Sequence, residues 1–338
     1  MHQRMTVTGK LAMALAVMVG VYAKIPQERI AAEKALSQES VEADYRWIQV
    51  LPPGSGCFPG SCRAGQWPMA VMPVVAFDST LWMMGQTSAW SSADGIHWRE
   101  QPKIDWGERY GMAYLFFDDA LWRMGGMRSW DDFRNDVWSS RDGSTWVEAT
   151  PKAAWTPRRG HGALVFDDKM WVLGGVESAG RPDRLPEHRL NDVWSSTDGV
   201  HWVRETDHAP WSAREGFISL VFKHRMWVLG GAGKRDVWSS GDGRTWVQAT
   251  PEAAWSERQN SGGVVWDGQI WIYGGRGYQD VWNSKDGVTW HLATESAPWT
   301  SRTTAQTVVF DDKVWIYGGK TGREDSWQGD VWVLLRMK

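Results

Sequence analysis

The chain is poor in cysteine, with Cys57 and Cys62 alone among 338 residues, and its eight histidines form no spaced set. Cysteine chemistry therefore reduces to one local pair, and nothing calls for a metal or another cofactor. Neither sign of charge dominates: 37 Lys and Arg face 40 Asp and Glu, for a net charge of -3 and a pI near 6.3. That balance gives no sign of a nucleic-acid partner. Long apolar runs are scarce as well. The one candidate, Leu11 to Val21, is cut off by Lys10 and is too short to span a bilayer comfortably. With 42% hydrophobic and 23% charged residues, the remainder suits a soluble globular protein and excludes a disordered or collagen-like chain.

What is abundant is tryptophan, at 27 residues, about one in twelve. Such a number implies either a repeated structural position or a very large aromatic binding surface. The chain before the first tryptophan is read separately. Residues 1–23 carry Arg4 and Lys10, then the apolar stretch, then Val21-Tyr22-Ala23, the pattern of a secretory signal or an uncleaved N-terminal anchor. Residues 24–45 mix Ile30, Ala31, Ala35 and Leu36 with charges and read as a short helical tether. The expected location is secreted or periplasmic, with membrane contact only through that first segment. Cys57 and Cys62 lie in a Gly/Pro-rich loop behind the signal. A disulfide pinning that loop is the expectation, and a redox or metal pair is the alternative.

Self-similarity then organises residues 46–338. An apolar run ending in Gly-Gly recurs at Leu121 to Gly126, Met170 to Gly175, Met226 to Gly231, Ile270 to Gly275 and Val314 to Gly319, with a weaker first copy at Leu81 to Gln86. Each unit reads as four strands, a to d. Strand a ends in an aromatic, strand b carries the Gly-Gly, strand c is Asp-Val-Trp, and an Asp-Gly turn leads into strand d. Asp-Gly between strand formers is a hairpin signal, because glycine accepts the positive φ of primed turns. After strand c, Asp-Gly occurs five times for six units, and the sixth unit stops at strand c. The missing strand is Arg46 to Val50, so an N-terminal strand should complete the last sheet and close the ring. The expected fold is all-β, a six-bladed propeller. The Gly-Gly, the aromatics of strands c and d and the period resemble the kelch repeat of galactose-oxidase-like propellers. Gly85-Gln86 in blade one departs from that pattern.

The same alignment assigns the tryptophans. Four positions in six blades take 24, and Trp266 replaces the phenylalanine that ends strand a elsewhere. Each ring can bury about 150–250 Å², worth a gross few kcal/mol at about 25 cal/mol per Å², so blade packing explains them. Trp130 and Trp327 fit no repeat position. Both fall in b-c connections, which are short in blades one, four and five and long in blades two, three and six. Variable loops on a constant scaffold are the usual seat of function. The expected binding face comprises Trp130, Asp131, Asp132, Phe133, Arg134, Arg181, Arg184, His188, Arg189, Arg323 and Trp327, for a protein or glycan ligand. The competing reading has the two aromatics pin their own loops.

A Trp-x-x-Arg motif places Arg109, Arg158, Arg214, Arg258 and Arg302 before strand a. Five arginines in a ring would suit an anion. Blade one lacks both this arginine, at Ala70 or its neighbour, and the strand c aspartate, at Ala89. The joint loss favours structural pairs with Asp136, Asp192, Asp236, Asp280 and Asp330. Among enzymes, a copper oxidase of the galactose oxidase type lacks its Tyr-Cys pair and histidine ligands here. A sialic acid mutarotase or epimerase resembles the chain in fold, blade count and export, and Glu108, Arg159, His161, Glu215 and Glu257 are the funnel residues that could serve it. A binding module is the preferred expectation.

Overall fold

The computed structural model describes residues 45–337, apart from 53–54, 58–66, 69–72, 86–87, 103–108, 179–187, 232, 276 and 322–325. The expected signal and tether, Cys62, Glu108, Arg181, Arg184 and Arg323 lie outside the described residues. So do Ala70 and, with Cys62, the expected Cys57–Cys62 pairing.

The described chain is all-β, and its sheets form six blades of a propeller. Blade one contains Val74–Phe77, Thr80–Met84, Ala89–Ser92 and Arg99–Glu100; blade two contains Ala113–Phe117, Ala120–Met124, Val137–Ser140 and Val147–Thr150. Blade six pairs Gln306–Phe310, Lys313–Tyr317 and Val331–Arg336 with Tyr45–Leu51, in register from Tyr45 opposite Arg336 to Gln49 opposite Trp332. The N-terminal strand thus closes the ring, which removes the free edge of the last sheet. Strands a of successive blades touch one another around the whole circle, so they line the axial channel.

Two turn types differ from the sequence expectation. The primed geometry belongs to the a-b turns, where both central residues have positive φ: Asp118 and Asp119 at 49° and 54°, Asp167 and Asp168 at 50° and 52°, even Lys223 and His224 at 48° and 53°. Such a turn matches the strand twist and needs φ > 0 at both places. The Asp-Gly segments instead form longer loops in which, of the two, only the glycine is left-handed. In blade one Asp94 Oδ1 accepts the backbone N–H groups of Ile96 and His97 at 2.9 and 2.8 Å, while Ser92 Oγ accepts that of Gly95 at 2.9 Å.

The reason for that glycine lies in the next blade. A Cβ on Gly95 would lie 2.6 Å from the Trp315 ring, and one on Gly143 2.5 Å from Trp82. Gly199, Gly243 and Gly287 abut Trp122, Trp171 and Trp227 more closely still. Each strand b tryptophan therefore docks on the Asp-Gly glycine of the following blade. In blades two to six its indole N–H is satisfied within its own blade, as where Trp171 Nε1 donates to the Phe166 carbonyl at 2.8 Å. Blade six has no Asp-Gly, and there the Tyr45 ring meets Trp271 edge-on at 4.8 Å. The tryptophan before strand a is also buried, and it packs edge-to-face on the strand d tryptophan: Trp155 on Trp202 at 5.9 Å, Trp211 on Trp246 at 5.9 Å, Trp299 on Trp47 at 4.4 Å. Aromatic pairs of this geometry are worth about 0.5–1.5 kcal/mol beyond area burial.

At the channel mouth backbone hydrogen bonds join blades two to six. Gly160 N donates to Gly111 O, Gly216 N to Gly160 O, Asn260 N to Gly216 O and Thr304 N to Asn260 O, at 2.8–3.2 Å. All five residues are left-handed, with φ between 55° and 65°. Each stands two places after the arginine of the Trp-x-x-Arg motif.

Candidate functional site

The five arginines are buried and each is forked onto its strand c aspartate: Arg109 with Asp136, Arg158 with Asp192, Arg214 with Asp236, Arg258 with Asp280 and Arg302 with Asp330, at 2.5–3.0 Å. A second Nη1 bond goes to the carbonyl of the first Gly-Gly glycine, as from Arg214 to Gly230 at 2.9 Å. Arg214 Nε donates to Ser212 O and Nη2 also to Ser212 Oγ, both at 2.9 Å, which occupies all five donors. No N–H of Arg214 remains for an anion, and all five guanidinium groups are engaged by their own aspartate and glycine carbonyl, so the motif braces the blade. The aspartate also accepts from its strand c tryptophan, as Asp236 Oδ2 does from Trp238 Nε1 at 2.7 Å. In blade one Ala89 stands buried where the aspartate would be.

The long b-c connections are β-ribbons rather than open loops. Blade two adds a hairpin of Met127–Ser129 and Asp132–Phe133; blade six adds Lys320–Thr321 with Ser326–Trp327. In blade three strands b and c themselves lengthen to Lys169–Glu177 and His188–Ser196. The two unassigned tryptophans fare differently. Trp327 is half-buried, with the Lys320 ammonium 4.9 Å from its ring centre, so it stiffens its own hairpin. Trp130 stands 60% exposed at the tip of the blade two hairpin.

Under Trp130 lies a group that spans three blades. The Arg159 guanidinium sits 5.2 Å from the Trp130 ring centre and 6.0 Å from that of buried Phe133. Its Nη1 donates to Glu215 Oε2 at 2.8 Å. Arg189 Nη2 stands 3.9 Å from the other Glu215 oxygen, and its side chain is 47% exposed. Arg134 holds Asp132 at 2.7 Å, Asp131 accepts from Ser129 Oγ, and His188 Nδ1 lies 2.6 Å from Glu177 Oε1. The structure thus brings Trp130, Phe133 and Arg189 together with Arg159 and Glu215, which sequence reasoning had placed in a separate funnel set. Exposed Tyr110, whose backbone bridges to Met127, joins this face and had no sequence signal, because it occupies an ordinary repeat position.

The other funnel candidates lie apart. Glu257 is exposed, without an ion pair among those resolved. His161 is buried behind the mouth, its ring 6.0 Å from Trp155, and among the described residues neither ring nitrogen has a hydrogen-bond partner. Burial, with the nearby Arg158 charge, pushes its pKa down to about 3 against a partial pull from Asp192. A histidine depressed in this way is neutral in the fold and protonates first in the unfolded chain, so it costs stability as pH falls from about 6.5 towards 3. Blade four has Phe217 at the same repeat position. His161→Phe is expected to leave Tm near neutral pH little changed and to flatten its decline in acid by one proton's worth, about 1.4 kcal/mol per pH unit. Urea titrations at pH 7, 5 and 4 check this, and parallel slopes for the two proteins would contradict it.

No protein-family model matches the chain, and no curated protein matches it in sequence. Among solved structures 402 chains match. One is the structure of YjhT, which superposes with a TM-score of 0.67 at 15% identity, covering 81% of this chain and 99% of that one. At that identity the likeness speaks for the propeller fold. Among the described residues no three His, Cys, Asp or Glu side chains converge as a metal site would require.

Proposed function

We propose that this is an exported, kelch-type propeller that works as a binding module, holding a protein or glycan on its variable b-c face. The supporting observation is Trp130: an exposed indole on a rigid hairpin, braced beneath by Arg159, which Phe133 and Glu215 hold in turn. A large aromatic kept in place before binding loses little entropy on contact, and such residues dominate interface energetics. Arg189 beside it offers loosely held donors to a polar group of the ligand. The N-terminal segment supports export to the periplasm or outside the cell. The Gly-Gly and aromatic repeat supports the kelch relationship.

A mutarotase or epimerase of the sialic-acid type would draw on the same face through Arg159 and Glu215. Against it, the Glu215 carboxylate is buried and already engaged by Arg159, a poor position for exchanging protons with a substrate. The purified protein is expected to show saturable binding on a glycan array or to a captured partner, weakened at least tenfold by Trp130→Ala with Tm unchanged. Turnover in NMR assays of sialic acid anomerisation, or binding indifferent to Trp130→Ala, would overturn the reading.

A further inference from the structure

We infer that the axial channel holds a second site, on the side formed by blades four to six, for a neutral polyhydroxylated ligand such as a monosaccharide or cyclic polyol. A cavity of about 340 Å³ opens there at the start of the three strands a. That volume is at the lower end of small-ligand pockets, about 300–1,000 Å³. Its wall carries Ser219, Asn260, Thr304, Gln306 and Thr307, with the Phe217 ring as an apolar surface, and no charged residue lines it. Hydroxyls and carboxamides both donate and accept, so they match a ligand bearing neutral hydroxyls. An anion would find no cation among the lining side chains, and a cation no carboxylate.

The backbone points to the same residues. The left-handed position of the mouth ring is glycine in blades two, three and four, at Gly111, Gly160 and Gly216. In blades five and six, where the cavity lies, it is Asn260 at φ 55° and Thr304 at φ 57°. Glycine adopts this conformation freely, asparagine tolerates it, and a β-branched residue is strained there. The ring hydrogen bonds run unchanged through all five residues, so the side chains are not needed to make them. Strain kept where a glycine would serve marks a side chain wanted for something else. Gln306 is aligned by its own bond, Nε2 donating to Thr304 O at 3.0 Å, which leaves Oε1 as an acceptor on the same wall.

This site is distinct from the Trp130 face, and the experiment separates the two. The full-length protein is titrated by saturation-transfer NMR with glucose, galactose, N-acetylglucosamine and myo-inositol, and with glucuronic acid and glucosamine as charged counterparts. At least one neutral probe is expected to bind saturably and more tightly than the charged ones. The double variant Asn260→Gly/Thr304→Gly is expected to lose at least tenfold in that affinity while its Tm holds or rises, and Gln306→Leu, which keeps the shape, to lose affinity without loss of Tm. Trp130→Ala should leave this binding unchanged. Absence of binding by every neutral probe, tighter binding of a charged counterpart, or full affinity in both Asn260→Gly/Thr304→Gly and Gln306→Leu would each overturn the inference.

Discussion

Gly243→Ala is expected to unfold the protein or lower its stability by about 3–5 kcal/mol, the sum of overpacking and a left-handed alanine. The glycine has φ 74°, and the added methyl would enter the Trp171 ring of the preceding blade. That ring cannot retreat, because its indole N–H is tied to Phe166 and it lies in the core shared by blades three and four. Gly268→Ala provides the control. This glycine has a similar φ, 69°, but nothing lies within 4 Å of its would-be Cβ, so only the conformational cost of about 1–2 kcal/mol applies. Equilibrium unfolding of the two variants measures the difference. Equal losses would show that the indole does not dock as described, and that the Asp-Gly signal reports turn geometry alone.

Arg214→Met should cost about 3–5 kcal/mol, the usual effect of removing one partner from a buried ion pair. It leaves the largely buried Asp236 carboxylate with the Trp238 indole N–H but no counter-charge, and takes its arginine donor from the Gly230 carbonyl. Adding Asp236→Asn should restore part of the loss, since the orphaned charge is then gone. Reversing both charges together should likewise do better than either reversal alone. A pH dependence follows from the same pair. Burial would raise the Asp236 carboxyl, but the bonds from Arg214 and Trp238 and the arginine's charge outweigh it and hold it below the ordinary value. A carboxyl depressed in the fold stabilises above its unfolded pKa, near 3.9, and that contribution disappears as pH falls below it. In Arg214→Met this part of the acid response should shrink. Strictly additive single variants would instead mean that the two side chains do not act as a unit.

Much of the architecture is readable in the chain because each blade repeats the same residues for the same reason. The Gly-Gly after strand b, the Asp-Val-Trp of strand c and the Asp-Gly after it, five for six units, all repeat along the chain, and Trp47 identifies the strand that returns to close the ring. Trp266 in place of phenylalanine is readable by the same comparison. The loss of both Arg and Asp from blade one is a covariation inside a single sequence, and it joins residues 22 to 34 positions apart elsewhere.

What no linear reading could supply is the partner across a blade boundary. The Asp-Gly glycine looks like a turn residue in its own hairpin, yet its lack of a Cβ serves a tryptophan 60 to 77 residues earlier, and blade one's glycine serves Trp315 at the far end of the chain. Arg159, Glu215 and Trp130 belong to three different blades, and only ring closure sets them side by side. The αL positions Asn260 and Thr304 carry no sequence mark beyond their offset from the motif arginine, because positive φ in a non-glycine residue is imposed by the neighbouring blade's hydrogen bond. The chain alone determines what each blade is made of, since strand pairing and turns are local. The channel and the faces are decided by packing between blades, where the contacts are long-range and, at the Trp130 face, the residues that make them do not repeat.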